Sequence, residues 1–402
     1  MSKRRKLKMR NGFKLLLIFS IILYIGSFTY LRVLNNKVPF FSVDNKIKST
    51  NVKLPEEKTY KLSMIMAGDA LMHGYLNTDA KQSDGTYNYM KQFRYVKDYV
   101  KDYDLRYWNQ ETIFGGTDRP YSGYPRFNTP SALGDNLIDD MGFNIVSTAN
   151  NHSMDQNTSG VLNSVAYWKT KDILWNGTAD SEETRNNFII KTKNNITYGL
   201  LSYTDHTNGL PVPADKKYLV NVWNEEQAKQ DIANLRDKVD VLMVAMHWGI
   251  EYTHTPVAKQ REQAKFLADQ GVDIVIGCHP HVIEPIEKIG NTVVFYSLGN
   301  FISNQTDENT RVGLFGTLDI TKTVNLKTKE KTITIDNIGG ELHYTHRDLP
   351  SHRNYVVIPF SNPDIGKYLP NYKTAYEKYK NIVTGGNEEF KIVPLNEEGC
   401  TE

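Results

Sequence analysis

Val272-Asp273-Ile274-Val275-Ile276-Gly277-Cys278-His279-Pro280-His281 sets an apolar run of strand length against a glycine, then two imidazoles flanking a proline. Short apolar runs bounded by turn residues fit strands covered on both faces. A strand that ends in ligand-type side chains predicts a site at the carboxyl edge of a parallel sheet, where such groups converge. Pro280 restricts the backbone and holds the two rings toward one side.

The same device recurs on both sides of this stretch. Leu62–Ala67 ends at Gly68-Asp69, Asn144–Ser147 at Asn150-Asn151-His152, Val241–Met246 at His247, and Val293–Ser297 at Gly299-Asn300. Helical spacing fills the intervals. Pro130–Met141 repeats Leu133, Leu137, Ile138 and Met141; Val161, Leu162, Val165 and Trp168 mark one face; Glu225–Asp237 carries Ala228, Ile232 and Leu235. Thr255-Pro256 opens a further helix that Gly271 closes. This alternation predicts an α/β domain. After about residue 304 the texture changes: Gly313–Ile320, Lys331–Ile338 and Glu341–Tyr344 read as antiparallel strands, and Tyr368–Ile382 as a helix.

The amino terminus carries a different signal. Residues 1–14 hold seven bases (Lys3, Arg4, Arg5, Lys6, Lys8, Arg10, Lys14) and no acid, and Leu15–Leu31 follows as 17 uncharged, largely apolar residues. That length is at the short end for a spanning helix, and the charge asymmetry places residues 1–14 in the cytoplasm and everything after Arg32 outside. A cleaved signal peptide is the competing reading, but no A-x-A-like site follows the apolar run. The expected organisation is a basic cytoplasmic tail (1–14), a single transmembrane anchor (15–34), a linker (35–60), the main domain (61–305), and a smaller β-rich carboxyl-terminal segment and tail (306–402). The expected location is the cell membrane, single-pass, with the domain extracytoplasmic.

The net charge of +2 conceals this partition. Of 48 bases, the seven in the tail leave 41 against 46 acids, so the remainder of the chain is mildly acidic. A basic nucleic-acid-binding surface finds no support in that balance. Two distant cysteines, Cys278 and Cys400, make no disulfide framework or thiolate zinc site. The absence of a P-loop Lys-Ser/Thr motif argues against an ATP-using ligase.

The strand-end clusters gather Asp69 and His73, Asn109 and Glu111, Asn150, Asn151, His152 and Asp155, His247 and Glu251, and His279 and His281. Carboxylates, amide oxygens and imidazoles without a thiolate pair suit one or two divalent ions such as Mn, Zn, Fe or Mg. Each residue alone has an ordinary role open to it, such as a helix cap for Asp69 or a turn for Asn150-Asn151. Five strand ends offering such groups together predict a polar site. His152, Asp155 and Glu251 are its candidate catalytic groups.

The runs M-A-G-D-A-L-M-H-G, S-T-A-N-N-H-S-M-D-Q, H-W-G-I-E-Y-T-H-T-P-V-A-K-Q, G-V-D-I-V-I-G-C-H-P-H-V-I-E-P and Y-S-L-G-N-F resemble, in sequence and order, the bacterial capsule synthesis CapA/PgsA family over roughly residues 62–304. That family is in turn similar to the calcineurin-like metallophosphoesterases. The resemblance implies a metallophosphatase-like four-layer α/β sandwich. It implies Asp69, Glu111, Asn151, His247, His279 and His281 as metal ligands and His152 as the catalytic histidine, with His73 and Asn109 as possible additions. Two departures stand out: the first-strand histidine lies four residues beyond Asp69, at His73, and Glu111 replaces a bridging aspartate.

The implied function is membrane-anchored, extracytoplasmic work in poly-γ-glutamate capsule biosynthesis or export. Three forms of it stay open: a metal-dependent hydrolase or transferase; a non-catalytic accessory subunit; and a metal-dependent cell-wall hydrolase. The expected partners are the membrane, an anionic polymer such as poly-γ-glutamate, and other subunits of a membrane synthetase complex, with no nucleic acid.

Overall fold

Strand β1 (Glu57–Ala70) is the axis of the first of two sheets. Its side chains alternate as a strand's must: Leu62, Met64 and Met66 face one core, Ile65 and Ala67 the other. In parallel beside it lie β2 (Leu105–Asn109), then β3 (Ile145–Ser147) and β4 (Leu174–Asn176). The second sheet runs β5-β6-β7-β8-β10-β9. These strands are β5 (Ile190–Lys193), β6 (Ile196–Thr204), β7 (Val241–His247), β8 (Ile274–Cys278), β9 (Ile286–Ile289) and β10 (Thr292–Phe295). The computed structural model describes residues 56–396 together with Ser27. The expected cytoplasmic tail, membrane anchor and most of the linker lie outside the described residues. Among the described residues no helix is long and apolar enough to cross a membrane.

The two sheets share one core, in which Met64, Tyr107 and Ile145 of the first meet Leu200, Met243, Ile274 and Phe295 of the second. Each sheet buries its other face under helices. Val161, Val165 and Trp168 of the helix Asn157–Trp168 cover Trp108 and Val146. Ala228, Ile232 and Leu235 of Glu225–Arg236, with Ala264 and Leu267 of Ala258–Asp269, cover Leu242, Val244 and Val275. Complete burial of Ile274, Val275 and Ile276 explains why this strand is apolar at every position. Each such side chain contributes about 1.5–3 kcal/mol relative to an exposed one.

The chain from Asn300 onward is no appendage. Strands β11 (Asn300–Ile302), β12 (Val312–Asn325), β13 (Lys331–Asp348), β14 (Arg353–Pro359) and β15 (Lys391–Ile392) all join the first sheet. β12 pairs antiparallel with β1 from Glu57↔Asn325 to Met66↔Gly316. Residues 56–396 belong to a single compact unit, so the change of texture near 306 marks a change of strand direction within one sheet. Lys331–Ile338 and Glu341–Tyr344 are one strand, not two. The helix expected over Pro130–Met141 divides into a short α-turn, Ala132–Asp135, and a π-turn, Asn136–Asp140.

Candidate metal centre and its cleft

The carboxyl ends of β1, β2 and β3 in one sheet and of β7 and β8 in the other converge, so the loops leaving them share one space. Two glycines make this approach possible. A Cβ on Gly68 would lie 1.9 Å from the Gly299 carbonyl oxygen, and one on Gly277 1.9 Å from that of Tyr296. The β1–β2 register slips between Ala67 and Asp69, a bulge that re-aims Asp69. Asp69 N–H then donates to the Gly299 carbonyl at 3.0 Å.

Asp69, Glu111 and His281 form the centre. One ligand atom from each lies within 4.8 Å of the others, and all three residues are buried. His281 Nδ1 bonds Asn300 Oδ1 at 3.0 Å and lies 3.3 Å from Asp69 Oδ2, while its Nε2 is 3.7 Å from Glu111 Oε1. Donation by Nδ1 to Asn300 leaves Nε2 free toward Glu111, the arrangement in which an outer partner orients a ligating ring.

Around this core the amide and imidazole groups interlock. Asn109 Nδ2 donates to Asp69 Oδ1 at 2.7 Å and reaches His247 Nδ1 at 3.3 Å; His247 Nε2 meets Asn151 Oδ1 at 2.9 Å. The His279 ring stands 4.8 Å from that of His247 and 6.0 Å from that of His281, centroid to centroid. Both residues flanking Pro280 are left-handed, His279 at φ 101° and His281 at φ 58°, a conformation that costs a non-glycine residue about 1–3 kcal/mol. Asp69 Oδ2 accepting from His279 N–H, and the Pro280 carbonyl accepting from Tyr252 N–H, hold it in place.

The electrostatics follow from burial. Burial, and then the charge of Asp69, push the Glu111 carboxyl well above its ordinary range. Burial, and then the neighbouring His279 and His281, push His247 well down; burial, with His281 next, pushes His279 down to about 3. Burial opposes the charge on His281 too, but Glu111 and Asp69 outweigh it and raise it to about 9. Both carboxylate oxygens of Glu111, Asn109 Oδ1 and His279 Nδ1 are buried without a hydrogen-bond partner. Such atoms are costly to leave unpaired. Oxygen and imidazole donors, with His247 and His279 held neutral by burial, are what a divalent cation would satisfy.

His152 stands beside this cluster, not in it. Its Nδ1 pairs with Asp155 Oδ2 at 2.8 Å; the same oxygen accepts from Phe127 N–H at 2.7 Å, and the His152 ring packs edge-on against Phe127 at 4.7 Å. Both line a cleft of about 510 Å³ with His73, Glu251, Tyr252 and His281. Glu251 is exposed on its rim. His73 bonds the Leu71 carbonyl through Nδ1 at 3.1 Å and packs on Phe127; it lines the same cleft as His281 but is not one of the three clustered residues. Asn150 is structural: its Oδ1 accepts from His152 N–H and its Nδ2 donates to the Gln110 carbonyl.

Sequence reasoning passed over Asn300, which orients His281, and His206, whose ring lies 5.1 Å from that of His279. Gly299-Asn300 stood out as a strand end but not as a partner. His206 follows β6, a strand that the sequence reading did not identify, so its end drew no attention.

Residues 63–305 match the family model described as Bacterial capsule synthesis protein PGA_cap. The chain is 29% identical over 273 residues to the PGA biosynthesis protein CapA of Bacillus subtilis, covering 64% of this chain and 68% of that one. It is 27% identical over 252 residues to the capsule biosynthesis protein CapA of Bacillus anthracis, covering 61% and 60%. Among solved structures it is similar to the NAD nucleotidase of Haemophilus influenzae, at 10% identity and a TM-score of 0.41, covering 85% of this chain and 59% of that one.

Proposed function

The chain belongs to the Bacterial capsule synthesis protein PGA_cap family, and we propose that its folded unit is a metal-dependent hydrolase or transferase of capsule biosynthesis, anchored by Leu15–Leu31 and working outside the membrane. The observation that carries this reading is the buried Asp69–Glu111–His281 cluster with its orphaned oxygens, open to a cleft that also presents His152. Asp69, Glu111, Asn151, His247, His279 and His281 would hold one or two divalent ions, of the Mn, Zn, Fe or Mg type. A bound ion supplies positive charge and Lewis acidity at a reacting oxygen.

The protein's own groups do the rest. Asp155 fixes the ring of His152 through Nδ1, leaving the other nitrogen to deliver a proton to a departing oxygen. The Asn109 amide locks Asp69 and His247 in register, which keeps the donor set from collapsing on itself. Leu71 and Phe127 supply apolar walls to the cleft. The polymer acted on, or a phosphorylated carrier of it, is the substrate in this reading, and the other subunits of a membrane synthetase complex are its partners.

The test is metal analysis by inductively coupled plasma mass spectrometry on the full chain in detergent, wild type against His279→Ala/His281→Ala, with hydrolysis of phosphoester and γ-glutamyl substrates measured on the same samples. Near-stoichiometric metal in the wild type, its loss in the variant, and hydrolysis that follows the metal are expected. A wild type that takes up no Mn or Zn on reconstitution overturns the hydrolase reading and favours a non-catalytic accessory subunit.

A further inference from the structure

The cleft at the metal-ligand cluster carries charge of both signs. Arg126, Asp155 and Glu251 are the Lys, Arg, Asp or Glu side chains that line it among the described residues. Glu251 stands exposed at the rim, and the Asp155 carboxylate is taken up by His152 Nδ1 and the Phe127 N–H. Arg126 is different. Its Nε donates to the Asp155 main-chain carbonyl at 2.6 Å and its Nη2 to Asn157 Oδ1 at 3.0 Å. Both acceptors are neutral. The nearby Arg119 is paired with the Asp118 carboxylate at 2.7 Å, whereas Arg126 enters no ion pair among the described residues. The Arg126 guanidinium is therefore aimed without being neutralised. A guanidinium has five N–H groups; two are used here, and those left are on Nη1 and Nη2. They form the outer edge of the fork, which matches the two oxygens of a carboxylate.

One residue fixes this fork relative to the chemistry. Asp155 holds the His152 ring through its carboxylate and the Arg126 guanidinium through its carbonyl. Phe127, next in the chain to Arg126, donates to the same carboxylate and packs its ring on His152 at 4.7 Å. A group seated on Arg126 is thus kept at a set distance from the proton donor of the proposed reaction. Arg347 adds a second uncompensated charge behind the wall of the cleft. It is 3% exposed, enters no ion pair among the described residues, and donates through Nη1 to the carbonyl of the lining residue Gln305 at 2.8 Å. Because Glu251 and Asp155 face the same space, selection rests on the directed bonds of the fork and not on a general positive field.

In a chain of γ-linked glutamyl units, the amide nitrogen and the free carboxylate of each unit are attached to the same carbon. On hydrolysis, the oxygen of water adds to the γ-carbonyl carbon and the C–N bond breaks. The nitrogen leaves with the unit that bears the carboxylate and takes a proton, which water restores to the donor; the products are a carboxylic acid and an amine. The proton donor and the holder of that carboxylate must then stand side by side, as His152 and Arg126 do across Asp155. We propose that Arg126 holds the carboxylate of the departing unit and so selects an anionic γ-glutamyl chain for cleavage at the Asp69–Glu111–His281 cluster. A phosphoester has no such need, since its anionic group is the reacting centre itself. The assignment rests on the hydrolase reading for what His152 does; the seating of a carboxylate on Arg126 does not.

The test uses the full chain in detergent and three probes in calorimetry: γ-linked tetraglutamate, the same tetramer with its free carboxylates converted to carboxamides, and inorganic phosphate. Metal content is measured on the same samples. The acid tetramer should saturate the wild type with a Kd below about 1 mM, and the amide tetramer should bind about 10- to 100-fold more weakly. Arg126→Gln should abolish that preference, bringing the acid down to the amide, with metal content and phosphate binding unchanged. Arg126→Lys keeps the charge but not the fork and should recover only part of the lost affinity. Equal binding of acid and amide by the wild type, no binding of either, a preference that survives in Arg126→Gln, or full recovery by lysine overturns the inference. An equal loss of phosphate binding in Arg126→Gln also overturns it, in favour of phosphate as the anion held there. Metal binding and phosphoester cleavage without any preference for the acid tetramer remove Arg126 and leave the hydrolase reading. An Arg126-dependent preference in a protein that takes up no Mn or Zn removes the hydrolase reading and leaves the carboxylate holder.

Discussion

Replacing Glu111 by glutamine separates a metal ligand from a structural ion pair. Glu111 is fully buried, and a ligand oxygen of it lies within 4.8 Å of one from Asp69. At an effective dielectric of about 20, two full charges at that distance repel by about 3.5 kcal/mol. Across 3.7 Å, a protonated His281 attracts a charged Glu111 by about 4.5 kcal/mol on the same footing. The two terms nearly cancel, so burial decides the balance, and it disfavours the charged carboxylate. Glutamine then removes a charge that burial disfavours while keeping the shape, and the metal-free variant should keep the wild-type stability to within about 1 kcal/mol. With metal the two proteins should part. At a thousandfold excess over Kd, metal adds about 4 kcal/mol to the wild type; an affinity weakened about a thousandfold leaves the variant less than about 1 kcal/mol. Urea unfolding of the full chain in detergent, with chelator and then with Mn or Zn, reads both quantities. An equal metal-dependent gain in Glu111→Gln and wild type refutes the ligand assignment. A loss of more than about 3 kcal/mol in chelator refutes the electrostatic argument and makes the Glu111–His281 pair structural.

Three further outcomes are expected. His152→Ala should lower turnover by about two to four orders of magnitude while bound metal, measured on the same sample, stays at the wild-type level. Asn300→Ala removes the oxygen that orients His281 and should weaken metal binding about 10- to 100-fold, by competition with a chromophoric chelator, with the fold intact by circular dichroism. Glu341 is buried and raised to about 8, so the folded state keeps a proton that the unfolded chain loses above about pH 4.5. The contribution of Glu341 to stability should therefore fall as pH rises from about 5 to 8 and level off beyond. Glu341→Gln should shift the slope measured in urea unfolding by about 1.4 kcal/mol per pH unit between about pH 5 and 8, relative to the wild type under the same conditions.

Local sequence determined the parallel strands of the double core and the groups at their ends. Leu62–Ala67, Val241–Met246 and Val272–Ile276 are apolar at nearly every position because helices or a second sheet cover both faces. Asp69, Asn151, His152, His247 and His279 follow such runs directly, so their convergence could be read from the edge rule for open sheets. What local sequence does not encode is distance between elements. The boundary at residue 306 was legible only as a change of pattern; pairing of Val312–Asn325 with β1 makes it one sheet, and such pairing is set by long-range register. β6 escaped notice because Gly199, Ser202 and Thr204 break its apolar run, and they are accommodated by the partners it meets in the fold. The partition of the polar groups was likewise a tertiary decision. Glu111 and His281 share one buried space, and His73, equally well placed in sequence, turns to the Leu71 carbonyl and the cleft wall. Sequence names the donors that sit at strand ends; which of them face one another depends on how two sheets pack, and that is fixed by side chains far from the site.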